Sequence, residues 1–264
     1  MTAPKLTTIA LMLFLLAPAI PAGAASIVPG SSAADANSDL AYPIVAPGAV
    51  RSQQWIRYDQ FSGPGYIISG VSFRSDIGLG GAFSVTDNLT IKLGIASGDN
   101  TTLSSLFDNN FNGVPITVFN GNTTLNFTHT ASGAQQFSNS IAFTTPFVYI
   151  PQAGSNLIVD ITNNGASLVT PLEGQTNCLG ATPSGCNLDA VMYDAMAGAA
   201  MTRIRNNPGQ SVTTASLASV SPVKGLIMQF DVTAIPEPSS IALSGLGMIA
   251  LGFVRRRSVQ RQRS

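Results

Sequence analysis

Leu89-Thr90-Ile91-Lys92-Leu93-Gly94-Ile95 alternates aliphatic with polar or small residues over seven positions. On an extended strand successive side chains point to opposite faces, so Leu89, Ile91, Leu93 and Ile95 share one face. A helix would scatter the same four around its circumference. The stretch reads as a half-buried strand with its aliphatic side inward. Working outward, the same alternation marks Gln54–Tyr58 before it and Leu125–His129 after it. Tyr66–Arg74 reads likewise, with Ile67, Ser69, Val71 and Phe73 on one face. Phe83–Val85, Val114–Phe119, Ala142-Phe143, Pro146–Ile150 and Asn156–Ile161 follow. Ala190–Asp194, Met201–Arg205 and Leu226–Val232 complete the set. Pro115 confines its strand to an edge or a start, because proline has no N–H to give to a ladder. Turn chemistry separates the runs, as in Ser62-Gly63-Pro64-Gly65 and the glycine-rich Ser75–Gly81. Leu103–Asn109 reads as a short helical turn. With no long helical period, the pattern predicts an all-β, antiparallel β-sandwich, jelly-roll-like in connection.

The two ends of the chain do not fit that pattern. Met1–Ala24 opens with Lys5, continues with the apolar core Ile9–Leu16, is broken by Pro18 and Pro21, and closes on Ala22-Gly23-Ala24. That is the layout of a secretory signal helix with a small-residue cleavage site before Ala25. Residues 25–50, rich in Ala, Ser, Pro and Gly, read as an extended leader with one strand near Ile44-Val45. Residues 51–234 form the sandwich domain, and residues 235–264 a separate tail.

The tail has three parts in order. Pro236-Glu237-Pro238 is followed by the apolar run Ile241–Val254, then Arg255, Arg256 and Arg257. Proline fixes φ and disfavours helix just before it, so the first part is extended. As a helix the 14-residue run reaches roughly 21 Å, short of roughly 30 Å of bilayer hydrocarbon. The arginines resist translocation and hold the end on the cytoplasmic side. An ordinary tail anchor is the alternative reading.

Pro236-Glu237-Pro238, a short apolar helix and an arginine cluster, in that order and at the C-terminus, resemble the PEP-CTERM sorting signal of bacteria. The resemblance covers about 30 residues. It implies passage through the general secretion machinery and cutting near Pro236-Glu237-Pro238 by exosortase, a membrane protease or transpeptidase. It implies transient membrane contact through residues 241–254, then a cell-surface or extracellular-matrix destination associated with exopolysaccharide or biofilm. The strand succession also resembles exported β-sandwich domains that precede such tails.

Removal of both ends changes the charge. Lys5 and Arg255, 256, 257, 261 and 263 leave, so 13 basic residues become 7; Glu237 leaves, so 13 acidic residues become 12. A neutral precursor yields a domain near −5 (7 − 12). No basic patch remains for nucleic acid. Cys178 and Cys186 lie in turn chemistry (Gly180, Pro183, Gly185) and in an oxidising setting, so a disulfide is the first reading. Closing about nine residues would contribute about 2.5 kcal/mol in the chain-entropy model. A metal held by two thiols would need ligands that the neighbourhood lacks.

Little in the sequence carries catalysis. His129 is the only histidine, which leaves histidine triads and zinc sites without material. Asp189 and Asp194 flank one strand and are the carboxylate pair a hydrolase would use; Asp160 and Glu173 are isolated. The competing role for such aspartates is capping turns. Asp99-Asn100 and Asp108-Asn109-Asn110 offer oxygen ligands but not the spacing of a calcium loop. Trp55, Tyr58, Tyr66 and Tyr193 are the candidate sugar-stacking residues, Trp55 and Tyr58 foremost, weighed against a place in the core. The expectation is a non-enzymatic surface or matrix protein without cofactor or metal. Its alternatives are a carbohydrate-binding module and a secreted hydrolase.

Overall fold

The computed structural model describes residues 24–29, 43–44, 46, 48–74, 82–128, 136–171, 190–192, 200–207, 209–215 and 224–236. Its strands are β1 (Ala24–Ile27), β2 (Val50–Ile56), β3 (Tyr66–Phe73), β4 (Ala82–Ile95), β5 (Ile116–Thr128) and β6 (Ser138–Tyr149). They continue with β7 (Leu157–Asn163), β8 (Leu168–Pro171), β9 (Ala190–Met192), β10 (Met201–Arg205), β11 (Lys224–Leu226) and β12 (Met228–Ala234). Among the described residues there is no α-helix, only 3-10 turns at Tyr58–Gln60 and Phe107–Asn110. No helix there is long and apolar enough to cross a membrane. The expected signal helix (apart from Ala24) and the expected tail helix lie outside the described residues.

Two antiparallel sheets carry the fold. The narrow sheet has the order β1-β12-β3-β6, and the wide sheet β10-β2-β7-β4-β5, with β8 beside the first half of β4. A small third sheet pairs β9 with β11. One core unites the inner faces: Ile68, Val71 and Phe230 from the narrow sheet meet Leu89, Ile91 and Leu93 from the wide one. The alternation of residues 89–95 is realised, with Leu89, Ile91 and Leu93 fully buried and Ile95 packed at the margin.

β4 runs on without a break from Ala82, joining two stretches that read as separate strands. The polar bridge Thr86-Asp87-Asn88 stays in the ladder because it faces Thr124, Thr123 and Asn122 of β5 in register. β5 begins at Ile116, one residue after Pro115, at the edge of its sheet.

The face assignment in β3 needs correction. The register against β6 shifts between Ile68 and Gly70. A bulge of this kind turns the strand over. Ile68, Val71 and Phe73 are buried, while Ile67 and Ser69 point out. The leader also departs from expectation. Ala24, the last residue of the expected signal segment, opens β1, and β1 pairs along β12 from Ala24↔Thr233 to Ile27↔Phe230. Ile44 and Ala46 are core residues.

One end of the sandwich collects several strand termini. Leu157 pairs with both Ile56 and Ile95, and Tyr66 pairs with both Tyr149 and Ala234. Phe61 closes this end, its ring 4.9 Å from Tyr149 and 5.8 Å from Phe230. The Tyr149 hydroxyl donates to the Ser155 carbonyl at 2.7 Å. Burial pushes that phenol far above its usual range, so it stays a donor.

Candidate functional site

The last strand hands the chain to the tail at this closed end. β12 lies between β1 and β3, so it is bonded on both sides. Its final pair is Ala234↔Tyr66, and the ladder runs one bond further: the Ile235 N–H donates to the Gly65 carbonyl at 2.9 Å. Gly65 makes room for that contact, since a Cβ there would stand 3.3 Å from Ile235 Cδ1. The Tyr66 hydroxyl holds the preceding turn through the Ser62 carbonyl. Ile235 is half-buried and Pro236 exposed. Among the described residues the ladder therefore ends at Ile235, and Pro236 is the first beyond it. Glu237, Pro238, Arg255, Arg256 and Arg257 lie outside the described residues.

A second constellation sits under the outer face of the wide sheet. Arg51 on β2 grips Asp160 on β7, with Nε 3.0 Å from each carboxylate oxygen and Nη2 2.6 Å from Oδ2. Nη2 also reaches Asp108 at 2.6 Å, and the guanidinium lies 4.8 Å from the centre of the Phe107 ring. The Gln53 amide donates to Asp160 at 2.7 Å and to the Phe107 carbonyl at 3.0 Å; its oxygen accepts from Asn110 at 2.9 Å. Burial would lower the Arg51 guanidinium, but hydrogen bonds and charge from Asp160, then Asp108, hold it above its ordinary value. The Arg51 hydrogen bond in turn holds Asp108 below the usual carboxylate range. Every partner is supplied from the chain, so the cluster straps loops 97–115 and 206–215 onto the sheet. The strap continues where the Asn206 oxygen accepts from the Arg51 N–H at 2.5 Å. This corrects the reading of Asp160 as isolated, which separation in sequence had hidden.

Asp87 is the third. It is buried at the turn of the leader, where the Asn163 amide donates to its Oδ1 at 2.9 Å. Asn163 also donates to the Pro43 carbonyl and to Ser167 Oγ, both at 3.1 Å, and Ser167 donates to the Ile44 carbonyl at 3.0 Å. Oδ2 of Asp87 has no partner. Burial pushes its carboxyl up to about 6, only partly opposed by the Asn163 hydrogen bond.

The other sequence candidates are dispersed. Trp55 is only 2% exposed, packed with Ala96, Phe111 and Ile158, and its Nε1 donates to the Gly98 carbonyl at 3.1 Å. No ring face is left for a sugar, so the core reading replaces the stacking one. Gly94 matters to this packing, because a Cβ there would come within 2.6 Å of the Phe111 ring. Tyr58 is half-buried in its 3-10 turn, its N–H bonded to Asn156 Oδ1 at 3.2 Å. Asp99 caps its own turn through Thr101, and Asp108 and Asn110 belong to the Arg51 cluster. Among the described residues no group of three or more His, Cys, Asp or Glu is placed to hold a metal. Cys178, Cys186, His129, Glu173, Asp189, Tyr193 and Asp194 lie outside the described residues.

One exposed feature was not singled out from sequence. On the outer face of β4 and β5, Thr86 faces Thr124 at 2.8 Å, Asn88 bonds Asn122 at 2.7 Å and Thr90 bonds Asn120 at 3.0 Å. Asn164 extends the ladder to Asn88 at 2.9 Å. Its signal was present as the polar phase of the alternation, but the pairing requires the register.

A family model for the PEP-CTERM protein-sorting motif matches residues 234–257. No curated protein and no solved structure matches the chain. The matched segment begins at Ala234, the last residue of β12. The motif marks the chain for export, membrane-anchored transit and cutting by exosortase.

Proposed function

Taking the sorting motif at residues 234–257 as premise, we propose that the chain is a non-enzymatic surface or matrix protein. Its payload is a jelly-roll β-sandwich released near Pro236-Glu237-Pro238. The observation that carries this reading is the junction: the sheet ends at Ile235 and the motif's first proline follows immediately. A cut beyond Pro236 leaves every described strand in place. The jelly-roll reading is supported by the alternation of the chain between sheets. β1, β3, β6 and β12 fall in the narrow sheet, and β2, β4, β5 and β7 in the wide one, in the orders β1-β12-β3-β6 and β2-β7-β4-β5.

Association with exopolysaccharide is supported by the Thr/Asn ladder of β4 and β5, whose amides and hydroxyls suit sugar hydroxyls. The described ladder has no stacking ring among its residues, which suits many weak contacts along a polymer rather than one tight subsite. The decisive experiment is mass spectrometry of the mature C-terminus in cells with and without exosortase, together with fractionation of a chain ending at residue 234. An uncut tail, or normal delivery of the truncated chain to the matrix, would refute the sorting reading. Retention of the mature protein on the cell's own exopolysaccharide, weakened by Asn88→Ala with Asn122→Ala, is the result expected for the polymer.

A further inference from the structure

We propose that the end of the sandwich from which the tail departs rests on the surface of a zwitterionic phospholipid bilayer while the chain is anchored. The proposal rests on the reading that residues 241–254 enter the membrane, and adds to it a second, peripheral contact made by the folded domain.

The tether sets the distance. Five residues, 236–240, separate Ile235 from the apolar run. Fully extended they span at most about 18 Å. The domain end that carries Ile235 is therefore held beside the lipid surface. That end is also where exposed aliphatic side chains collect. Among the described residues seven large hydrophobics are exposed, and five belong here: Ile67, Val114, Ile116, Val148 and Ile150. Val114 is 94% exposed and Val148 59%. The other two lie elsewhere: Leu168 on β8 faces Thr86, toward the far end of β4, and Leu106 bridges to Thr214 over the wide sheet.

The register shows how the contact is built. Val148 pairs with Ile67, Ile67 with Thr233, and Thr233 with Ala24. This row crosses all four strands of the narrow sheet on its outer face, and its β12 member, Thr233, stands two residues before Ile235 at the tail junction. The β3 bulge places Ile67 there, since without the shift it would share the face of Val71. On the wide sheet, Ile116 pairs with Leu93 near the same end, and Val114 lies just before it. Behind the aliphatic row the outer face turns polar. Asp231 accepts from Ser140, and its carbonyl accepts from Ser69 at 3.3 Å. The contact is therefore shallow, as for side chains seated among headgroups. Charge does not recruit it: Arg57 is paired with Asp59 at 2.7 Å, and Asp99 is exposed in the 97–100 turn. Apolar area does, which is why zwitterionic lipid suffices.

The test uses the full chain in liposomes of phosphatidylcholine, plain or brominated on the acyl chains. Trp55 is the only tryptophan and is buried, so an added tryptophan reports its own depth. Val148→Trp should lose at least half its added emission in brominated vesicles, and Leu246→Trp, in the apolar run, at least as much. Leu168→Trp, at the far end, should lose none. Quenching at position 246 without quenching at 148 would overturn the docking while leaving the anchor intact. No quenching at either would overturn both. Equal quenching at 168 and 148 would show that the domain has no preferred face. A blue shift at 148 that depends on protein concentration but not on bromine would assign the surface to a second copy instead. If Val148→Trp fails to fold, Ile150→Trp makes the same measurement.

Discussion

The two sheets present opposite outer faces. The wide sheet is covered by its own chain over β2 and β7, since segments 97–115, 206–207 and 209–215 lie over Arg51, Gln53 and Trp55 and every polar atom of the Arg51–Asp160–Gln53 centre has a partner. Among the described residues the narrow sheet carries no such cover at its exit end, and Ile67, Val148 and Ile150 are exposed there. A face closed by a hydrogen-bonded network commits its polar groups to structure. A face left bare keeps its surface for an outside contact. The proposed contacts of this chain accordingly lie at its margins: the open row, the exposed Thr/Asn ladder and the tail junction.

Breaking the closed face should give the largest effect. Asp160→Ala leaves the Arg51 guanidinium buried with only Asp108 and neutral groups, and should cost about 3–5 kcal/mol. Urea unfolding followed through Trp55 emission would show the midpoint fall, with loops 97–115 losing amide protection first. Asp87 gives the next effect. Burial raises its carboxyl in the folded state to about 6, above the ordinary aspartate range, so the native state binds the proton more tightly than the unfolded chain. The stabilising contribution is full below the unfolded value and is lost as pH rises through the folded one. Stability should therefore drop by up to about 3 kcal/mol between pH 4 and pH 7 from this group. Asp87→Asn should flatten that slope in matched denaturation curves.

Two smaller changes sharpen the contrast. Asp108→Ala removes the more exposed partner of Arg51, whose side chain is 78% exposed. Exposed pairs are worth little, so it should cost at most about 1 kcal/mol, in contrast to Asp160→Ala on the same guanidinium. Val148→Thr on the bare face should leave the unfolding midpoint within about 0.5 kcal/mol. A large loss there would mean that the row is already packed against something in the isolated chain.

Local pattern made the strands legible where it was strict. Residues 89–95 showed their inward face because period-2 alternation survives any choice of partner. Tyr66–Phe73 misled because a bulge is a property of two strands, and the alternation of one cannot show where the other slips. Ala24–Ile27 looked like a leader because Ala-Ala-Ser-Ile has no strand signature; its strand state comes from β12, more than 200 residues away. Asp160 seemed solitary for the same reason, its partner Arg51 standing 109 residues back. Of the candidate site, the tail order was legible in full, because a sorting signal is read as linear chain. The sugar-stacking residues were not, because a tryptophan in an alternating strand looks the same on a covered face as on a bare one.

The placement of β12 also sets a clock. Among the described strands it is the last to be made, yet it is inserted between the first, β1, and the third, β3. The narrow sheet cannot assemble until residues 228–235 have crossed, and only five residues later the apolar run arrives to halt the crossing. If residues 241–254 anchor the chain as proposed, the closing of the sheet and the arrest of the chain fall almost together, and the final seam of the sandwich is stitched close to the moment of anchoring.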